Sequence, residues 1–142
     1  MRVVFDTNVV VSGFLWSGAP HQALRIATER RVDAITSEAL VDELRDVLKR
    51  DKFHKFREHL QKTPEQLVAD YLRYTNVIEP AVIPKDAVRD VKDVKVLAAA
   101  VGGQATYIVS GDEDLLSLKS YAGILTLNVR DFIQRATPND AT

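Results

Sequence analysis

Short apolar segments alternate with longer amphipathic segments along most of the chain. The short segments are typical of buried strands, and they lie at residues 2–5, 32–36, 77–78, 107–109 and 124–125. The longer segments have apolar residues at helical spacing and predict helices, which we expect over about 20–30, 37–50, 52–60, from 63 onward, 90–103 and 115–118. Because strands alternate with helices, we predict an α/β fold with a mainly parallel sheet covered on both faces.

Several helix boundaries carry recognisable signals. Ser37 is placed to cap one helix, and Thr63 directly before a proline is typical of the start of another. Asp90 is expected to cap a helix that ends at the glycine pair 102–103. Residues 13–20 contain glycine and proline breakers, so we predict a loop there.

The composition is that of one soluble domain. The chain has 142 residues, of which 46% are hydrophobic and 27% are charged. No stretch approaches the roughly 18 uninterrupted apolar residues of a membrane span. The absence of cysteine excludes disulfides, zinc–thiolate sites and thiol catalysis. We therefore expect a single cytoplasmic domain over residues 1–142, with no membrane contact and a disordered tail of about eight residues.

The charges are distributed unevenly although the formal net charge is only −1. Between positions 86 and 114, six acids accompany three bases. Between positions 49 and 62, six bases accompany two acids, and five of these bases are candidate RNA contacts: Lys49, Arg50, Lys52, Lys55 and Arg57. An acidic centre beside a basic stripe suits a metal-loaded site that handles a polyanion, although such a stripe is also typical of a solvated helix face.

Four acids follow or flank predicted elements in positions that could bring them together. Asp6 comes directly after the strand 2–5, and three further acids occupy comparable positions: Glu43, Asp93 and Asp112. Open α/β sheets bind ligands at the carboxyl ends of their strands, where several carboxylates would suit a hard divalent cation. Each later acid also has an ordinary interpretation: Glu43 as a boundary residue, Asp93 as a first-turn acid and Asp112 as an N-cap.

Helical geometry distinguishes Glu43 from the acid before it. At about 100° per residue, Glu43 flanks the apolar stripe of its helix, whereas Asp42 faces solvent. Polar neighbours could hold the candidate carboxylates by hydrogen bonds, and these neighbours are Thr7, Asn8 and Ser110.

Four motifs together resemble those of the PIN-domain ribonucleases, and the resemblance covers essentially the whole chain. The motifs are Val4-Phe5-Asp6-Thr7-Asn8-Val9, Leu40-Val41-Asp42-Glu43-Leu44, Asp93 ahead of Leu97-Ala98-Ala99, and Tyr107-Ile108-Val109-Ser110-Gly111-Asp112-Glu113-Asp114-Leu115-Leu116. The segment Phe14-Leu15-Trp16-Ser17-Gly18-Ala19-Pro20 is similar to the VapC-like toxin branch of prokaryotic toxin–antitoxin pairs.

The resemblance implies a PIN-like three-layer α/β/α domain with about five strands and the activity of an endoribonuclease dependent on Mg²⁺ or Mn²⁺. One or two ions would be held by Asp6, Asp93 and Asp112, with Asp114 as a further candidate. Glu43 would hold or orient metal-bound water, and cleavage would leave a 5′-phosphate and a 3′-hydroxyl. The implied partners are an RNA substrate, an antitoxin protein and a second copy in a homodimer.

Two segments depart from the family pattern. Related sequences often carry a second acid directly before Asp93, where this chain has Lys92. Asp90 could compensate or could be only a cap, so the number of metals stays open. The segment 126–132 resembles the fourth motif of VapC-like toxins, but too few residues remain for the strand that should follow. We therefore interpret Asp131 as structural.

Three other functions are compatible with parts of the sequence. A PIN enzyme that processes RNA without being a toxin would have the same acids. A catalytically weak RNA-binding or assembly module would not need four acids in a cleft. A phosphatase with Asp6 as nucleophile would usually have a second aspartate where this chain has Asn8.

Overall fold

A six-stranded sheet forms the centre of the structure, a computed structural model in which residues 1–137 are described. Its strands are β1 (Arg2–Phe5), β2 (Asp33–Thr36), β3 (Thr75–Val77), β4 (Tyr107–Val109), β5 (Ser120–Tyr121) and β6 (Ile124–Leu127). The strand order is β3-β2-β1-β4-β6-β5. Every neighbouring pair is parallel except β5 with β6. The predicted class, a mainly parallel α/β sheet flanked by helices, is confirmed.

Eight helices connect and cover these strands within the described residues. They are α1 (Thr7–Leu15), α2 (Ala19–Thr28), α3 (Glu38–Leu48), α4 (His54–Leu60), α5 (Pro64–Leu72), α6 (Val94–Gly102), α7 (Glu113–Leu116) and α8 (Val129–Ala136). Single 3₁₀ turns at Asp51–Phe53 and Val91–Asp93 precede α4 and α6. None of the helices in this part of the chain has the length and apolar character needed to cross a membrane.

The two faces of the sheet bury separate apolar cores, because successive strand side chains point to opposite sides. Val3 and Phe5 of β1 belong to the core formed with α1, α2, α3, α5 and α8. Val4, between them, belongs to the core formed with α6 and α7. Because both faces are covered, β1 has three buried positions in a row. It lies inside the sheet, between β2 and β4.

The helix caps expected from the sequence are present. The Ser37 hydroxyl accepts the backbone N–H of Leu40 at the start of α3. Thr63 and Gln66 form a reciprocal capping box at the start of α5, which satisfies two backbone donors that the helix itself leaves unpaired. Asp90 accepts the N–H of Lys92, although the turn that it caps is the 3₁₀ turn before α6.

The predicted loop over residues 13–20 is wrong at both ends, since α2 already begins at Ala19. Helix α1 continues to Leu15, so the connection to α2 is short. A Cβ atom at Gly13 would lie 2.5 Å from Leu24 Cδ1 and 2.9 Å from the Pro20 carbonyl oxygen. Gly13 therefore lets α1 pack closely against α2, so the first residue of the predicted loop is a helix-packing glycine.

Three elements were not predicted: α1, β5 and α8. β5 raises the strand count to six, and its two residues carry no alternating apolar pattern. α8 follows β6 and buries Phe132, whose ring meets Phe5 edge-on with centroids 5.6 Å apart. The expected tail of about eight residues begins inside α8, and its residues 138–142 lie outside the described residues.

Candidate active site

The parallel pairing of β1 with β4 places two of the predicted acids at one edge of the sheet. Phe5 is paired with Val109, so Asp6 and Ser110 are the first residues beyond the two strands. The backbone N–H of Asp6 donates to the Val109 carbonyl at 2.9 Å, which extends the ladder by one bond. Asp112 follows two residues later and caps α7.

Ser110 connects these two strand ends. Its fully buried hydroxyl donates to Asp6 Oδ2 at 2.8 Å and accepts the backbone N–H of Asp112 at 2.9 Å. Asp112 Oδ1 in turn accepts the N–H of Asp114 at 2.7 Å. The Asp6 and Asp112 carboxylates are thus held by hydrogen bonds from the same short segment.

Asp93 reaches the same edge from the 3₁₀ turn before α6. One carboxylate oxygen from each of Asp90, Asp93 and Asp112 lies within 4.8 Å of the others. Asp93 is buried, and among residues 1–137 its Oδ2 atom has no hydrogen-bond partner. A buried oxygen without a partner costs free energy, and a divalent cation with oxygen ligands would supply the missing interaction. The residues present therefore fit a metal ion.

The electrostatics of the cluster also favour a bound divalent cation. The pKa of Asp93 is raised to about 7, chiefly by burial and in addition by the negative charges of Asp112, Asp6, Asp90 and Asp114. Burial also raises the pKa of Asp6, and the charges of Glu43 and Asp112 add to this effect. Hydrogen bonds from Ser110 and from the Thr7 backbone oppose it. A cation would favour the ionised form of both carboxyl groups.

An open cleft of about 630 Å³ lies over these carboxylates. Its charged lining comprises seven acids and three bases: Asp6, Asp42, Glu43, Asp46, Asp90, Asp93, Asp112, Arg50, Lys92 and Lys95. Glu43 reaches the cleft from α3, and its Oε2 atom accepts a hydrogen bond from Lys95 Nζ at 2.7 Å. The cleft is therefore an acidic surface with a small basic component.

The other residues singled out from the sequence occupy different positions. Asn8 is exposed on the cleft wall, whereas Thr7 is buried. Asp114 is half-buried and lies outside the lining residues, although its charge still acts on Asp93. Asp131 lies exposed in the first turn of α8 and is not among the residues that line the cleft.

Of the five basic residues proposed as RNA contacts, Arg50 lines the cleft within the described chain. Arg57 donates from Nη1 to the carbonyls of Leu48 and Arg50, so it closes the end of α3. Lys49 pairs with Glu65 at 3.8 Å, and Lys52 lies 5.0 Å from the centroid of the Phe53 ring. Lys55 is exposed and is not part of the lining.

No role was predicted for Lys95, and Asp90 was predicted to be either a metal ligand or only a helix cap. Glu43 and Lys95 are 52 positions apart, so only the packing of α3 near α6 brings them into contact. A signal for Asp90 was present, because it lies three residues before Asp93, and side chains three apart in a turn are neighbours.

A family model described as the PIN domain matches residues 2–114, a range that includes every acid of the cleft. The chain therefore belongs to the PIN-domain family. PIN domains are generally metal-dependent nucleases, and the acidic cluster described above is in keeping with that chemistry. Comparison with curated proteins gives no significant match.

Proposed function

We propose that this protein is a metal-dependent endoribonuclease that hydrolyses phosphodiester bonds of RNA. The observation that supports the proposal best is the unpartnered Oδ2 atom of buried Asp93, which lies beside the carboxylates of Asp90 and Asp112. A structural cluster would be expected to satisfy such an atom with a protein donor. An unsatisfied carboxylate oxygen on a residue that lines an open acidic cleft is suited to a cation shared with substrate.

The chain supplies the ligands for this chemistry from three elements. Asp93 and Asp112 would hold the ion, and Asp6, fixed by Ser110, would complete the site from the end of β1. Asp90 is added to the ligand candidates by its position, and Asp114 remains a candidate. Mg²⁺ or Mn²⁺, as one or two ions, suits oxygen donors of this type. When bound, such an ion supplies a water of lowered pKa and positive charge for the phosphate.

Glu43 is proposed to orient the attacking water and accept its proton. Its side chain is 22% exposed and one of its oxygens, Oε2, is occupied by Lys95. Among the described contacts, Oε1 has no protein partner and is available to a water in the cleft. Attack at phosphorus would leave a 5′-phosphate and a 3′-hydroxyl.

The biological role that we propose is that of a cytoplasmic toxin, active as a homodimer and restrained by an antitoxin protein. This part of the proposal rests on the resemblance of the segment 14–20 to VapC-like toxins. Expression from a tightly controlled promoter in a bacterium should arrest growth, and Asp112→Asn should remove the arrest. Unaffected growth with an active purified enzyme would instead favour an RNA-processing nuclease.

The direct test is incubation of the purified protein with a panel of mixed-sequence RNAs in Mn²⁺, Mg²⁺ or EDTA. Asp112→Asn should lose the cutting, since it removes one ligand charge from the cluster. Asp131→Asn is the matched control, because it makes the same chemical change at an exposed aspartate that does not line the cleft. RNA that is bound but never cut with any metal would contradict the proposal and favour a binding module.

A further inference from the structure

The ion pair between Lys95 and Glu43 is a distinctive feature of the cleft. It joins the first turn of α6 to the middle of α3, with Nζ and Oε2 2.7 Å apart. The Glu43 side chain is 22% exposed and the Lys95 side chain is 41% exposed. The Lys95 ammonium is thus fixed on one side and open to the cleft on the other.

The acidic lining of the cleft repels phosphate, and the Lys95 ammonium can offset part of this repulsion. Seven acids and three bases line the cleft, so an RNA phosphate entering the site would be repelled. A cation bound by the carboxylates offsets part of this repulsion. Glu43 lines the same cleft and acts through its charge on Asp6. A second positive group beside Glu43 would therefore add a direct contact to the phosphate.

Lys95 is better placed for this task than the other two bases of the lining. Arg50 and Lys92 are exposed, and neither makes an ion pair in the described part of the chain. A long side chain that must be ordered when substrate binds loses conformational entropy. Lys95 has already been ordered by Glu43, and an ammonium has three N–H donors, so two donors remain for a ligand.

We propose that Lys95 is the phosphate-binding residue of the active site and that Glu43 positions it. This inference rests on the proposed nuclease function. In it, Lys95 Nζ donates to a non-bridging oxygen of the scissile phosphate. The pair acts as a unit, because loss of Glu43 would release the Lys95 side chain into solvent.

The test compares Lys95→Met with Lys95→Arg and with Lys85→Met. The last variant removes the same charge from an exposed position outside the cleft lining. We expect Lys95→Met to lower kcat about 100-fold, as for loss of one donor to a developing oxyanion. Lys95→Arg should stay within about tenfold of wild type, because it retains the charge. The Mn²⁺-dependent rise in melting temperature should be unchanged, since the ligands are intact.

A binding measurement provides a readout that does not depend on turnover. Lys95→Met is combined with Asp112→Asn, and affinity for a short mixed-sequence single-stranded RNA is measured over a range of salt concentrations. Loss of one phosphate contact should reduce the slope of log K against log salt by about 0.7. The Asp112→Asn parent and its combination with Lys85→Met should keep the full slope. Lys95→Gln is the second variant if Lys95→Met folds poorly.

The outcomes separate this inference from the proposed function. Cleavage by wild type that Lys95→Met reduces by less than about threefold, within the range of a surface charge change, would overturn the inference and leave the nuclease intact. A lower melting temperature with unchanged kcat would also overturn it, since the pair would then be structural. If wild type cuts no RNA, the nuclease proposal fails, and the salt slope alone decides whether Lys95 contacts phosphate.

The role of Glu43 in the pair is tested by a double-mutant cycle. Glu43→Gln and Lys95→Met are measured singly and together for kcat. If Glu43 positions Lys95, the effects should not add, because residues in direct contact are coupled. Additive effects would show that the two side chains act separately and would refute the positioning role.

Discussion

Ser110 Oγ donates a hydrogen bond of 2.8 Å to Asp6 Oδ2, and this bond joins the ends of the two central strands β1 and β4. The serine is completely buried. Ser110 Oγ also accepts the backbone N–H of Asp112, so a single hydroxyl sets the positions of two candidate ligands. The spacing of the site therefore depends on a residue that need not touch the metal.

Ser110→Ala is expected to weaken Mn²⁺ binding. Loss of an outer hydrogen bond to a metal ligand typically lowers metal affinity about 10- to 100-fold. The affinity can be measured by Mn²⁺ titration of the purified variant. Ser17→Ala, an exposed serine in the connection between α1 and α2, is the control and should bind Mn²⁺ as wild type does. Unchanged affinity in Ser110→Ala would show that the hydrogen bond does not set the site.

The metal-free protein should lose stability as pH rises toward and through about 7. The pKa of Asp93 is raised from 3.8 to about 7 in the folded state, chiefly by burial. The folded protein therefore retains a proton that the unfolded chain releases, and stability falls as that proton is lost. This contribution is fully present below pH 3.8 and is lost as pH passes about 7.

Melting temperatures in EDTA across this pH range test the expectation. Asp93→Asn has no group to ionise, so its melting temperature should depend less on pH than that of wild type. Asp131→Asn should keep the wild-type dependence, because Asp131 is exposed. Parallel curves for wild type and Asp93→Asn would mean that Asp93 does not titrate with a raised pKa.

Gly13→Ala should destabilise the fold although alanine favours helices. In an exposed helix the change stabilises by about 1 kcal/mol. At Gly13 the new methyl would lie 2.5 Å from Leu24 Cδ1 and 2.9 Å from a backbone oxygen. Overpacking of this kind costs about 1–3 kcal/mol. Urea unfolding should give a lower midpoint for Gly13→Ala, whereas Gly111→Ala, with open space at its Cβ position, should differ little.

The parts of the fold that could be predicted are those set by local pattern. β1 and β4 are short apolar runs, followed by an acid directly in β1 and after two residues in β4, and helices between strands favour a parallel sheet. α3 was predicted because its apolar stripe and its Ser37 cap agree. In each case neighbouring residues carry the information.

The parts that could not be predicted depend on contacts between distant segments. Gly13 lies in the predicted loop, and only its close approach to Leu24 shows that it serves helix packing. Phe132 lies in a largely polar segment, and only its contact with Phe5 shows that it belongs to the core. The pairing of Lys95 with Glu43 likewise needs the packed fold. Asp6, Asp93 and Asp112 could be predicted because each lies at the end of a strand or the start of a helix. Lys95 could not, because no local pattern marks its contact with Glu43.

Addition of Mn²⁺ or Mg²⁺ should raise the melting temperature of wild type, and the rise should be larger at pH 8 than at pH 5.5. An ion that binds only the folded state stabilises it by about 2.7 kcal/mol when its concentration is 100 times Kd. Protons compete for the same oxygens, and Asp93, with a pKa of about 7, is largely protonated at the lower pH. Asp112→Asn should abolish the rise at both pH values, and EDTA should reverse it in wild type. An equal rise in Asp112→Asn would mean that the ion binds elsewhere, since this variant removes one of the three carboxylates that lie within 4.8 Å of one another.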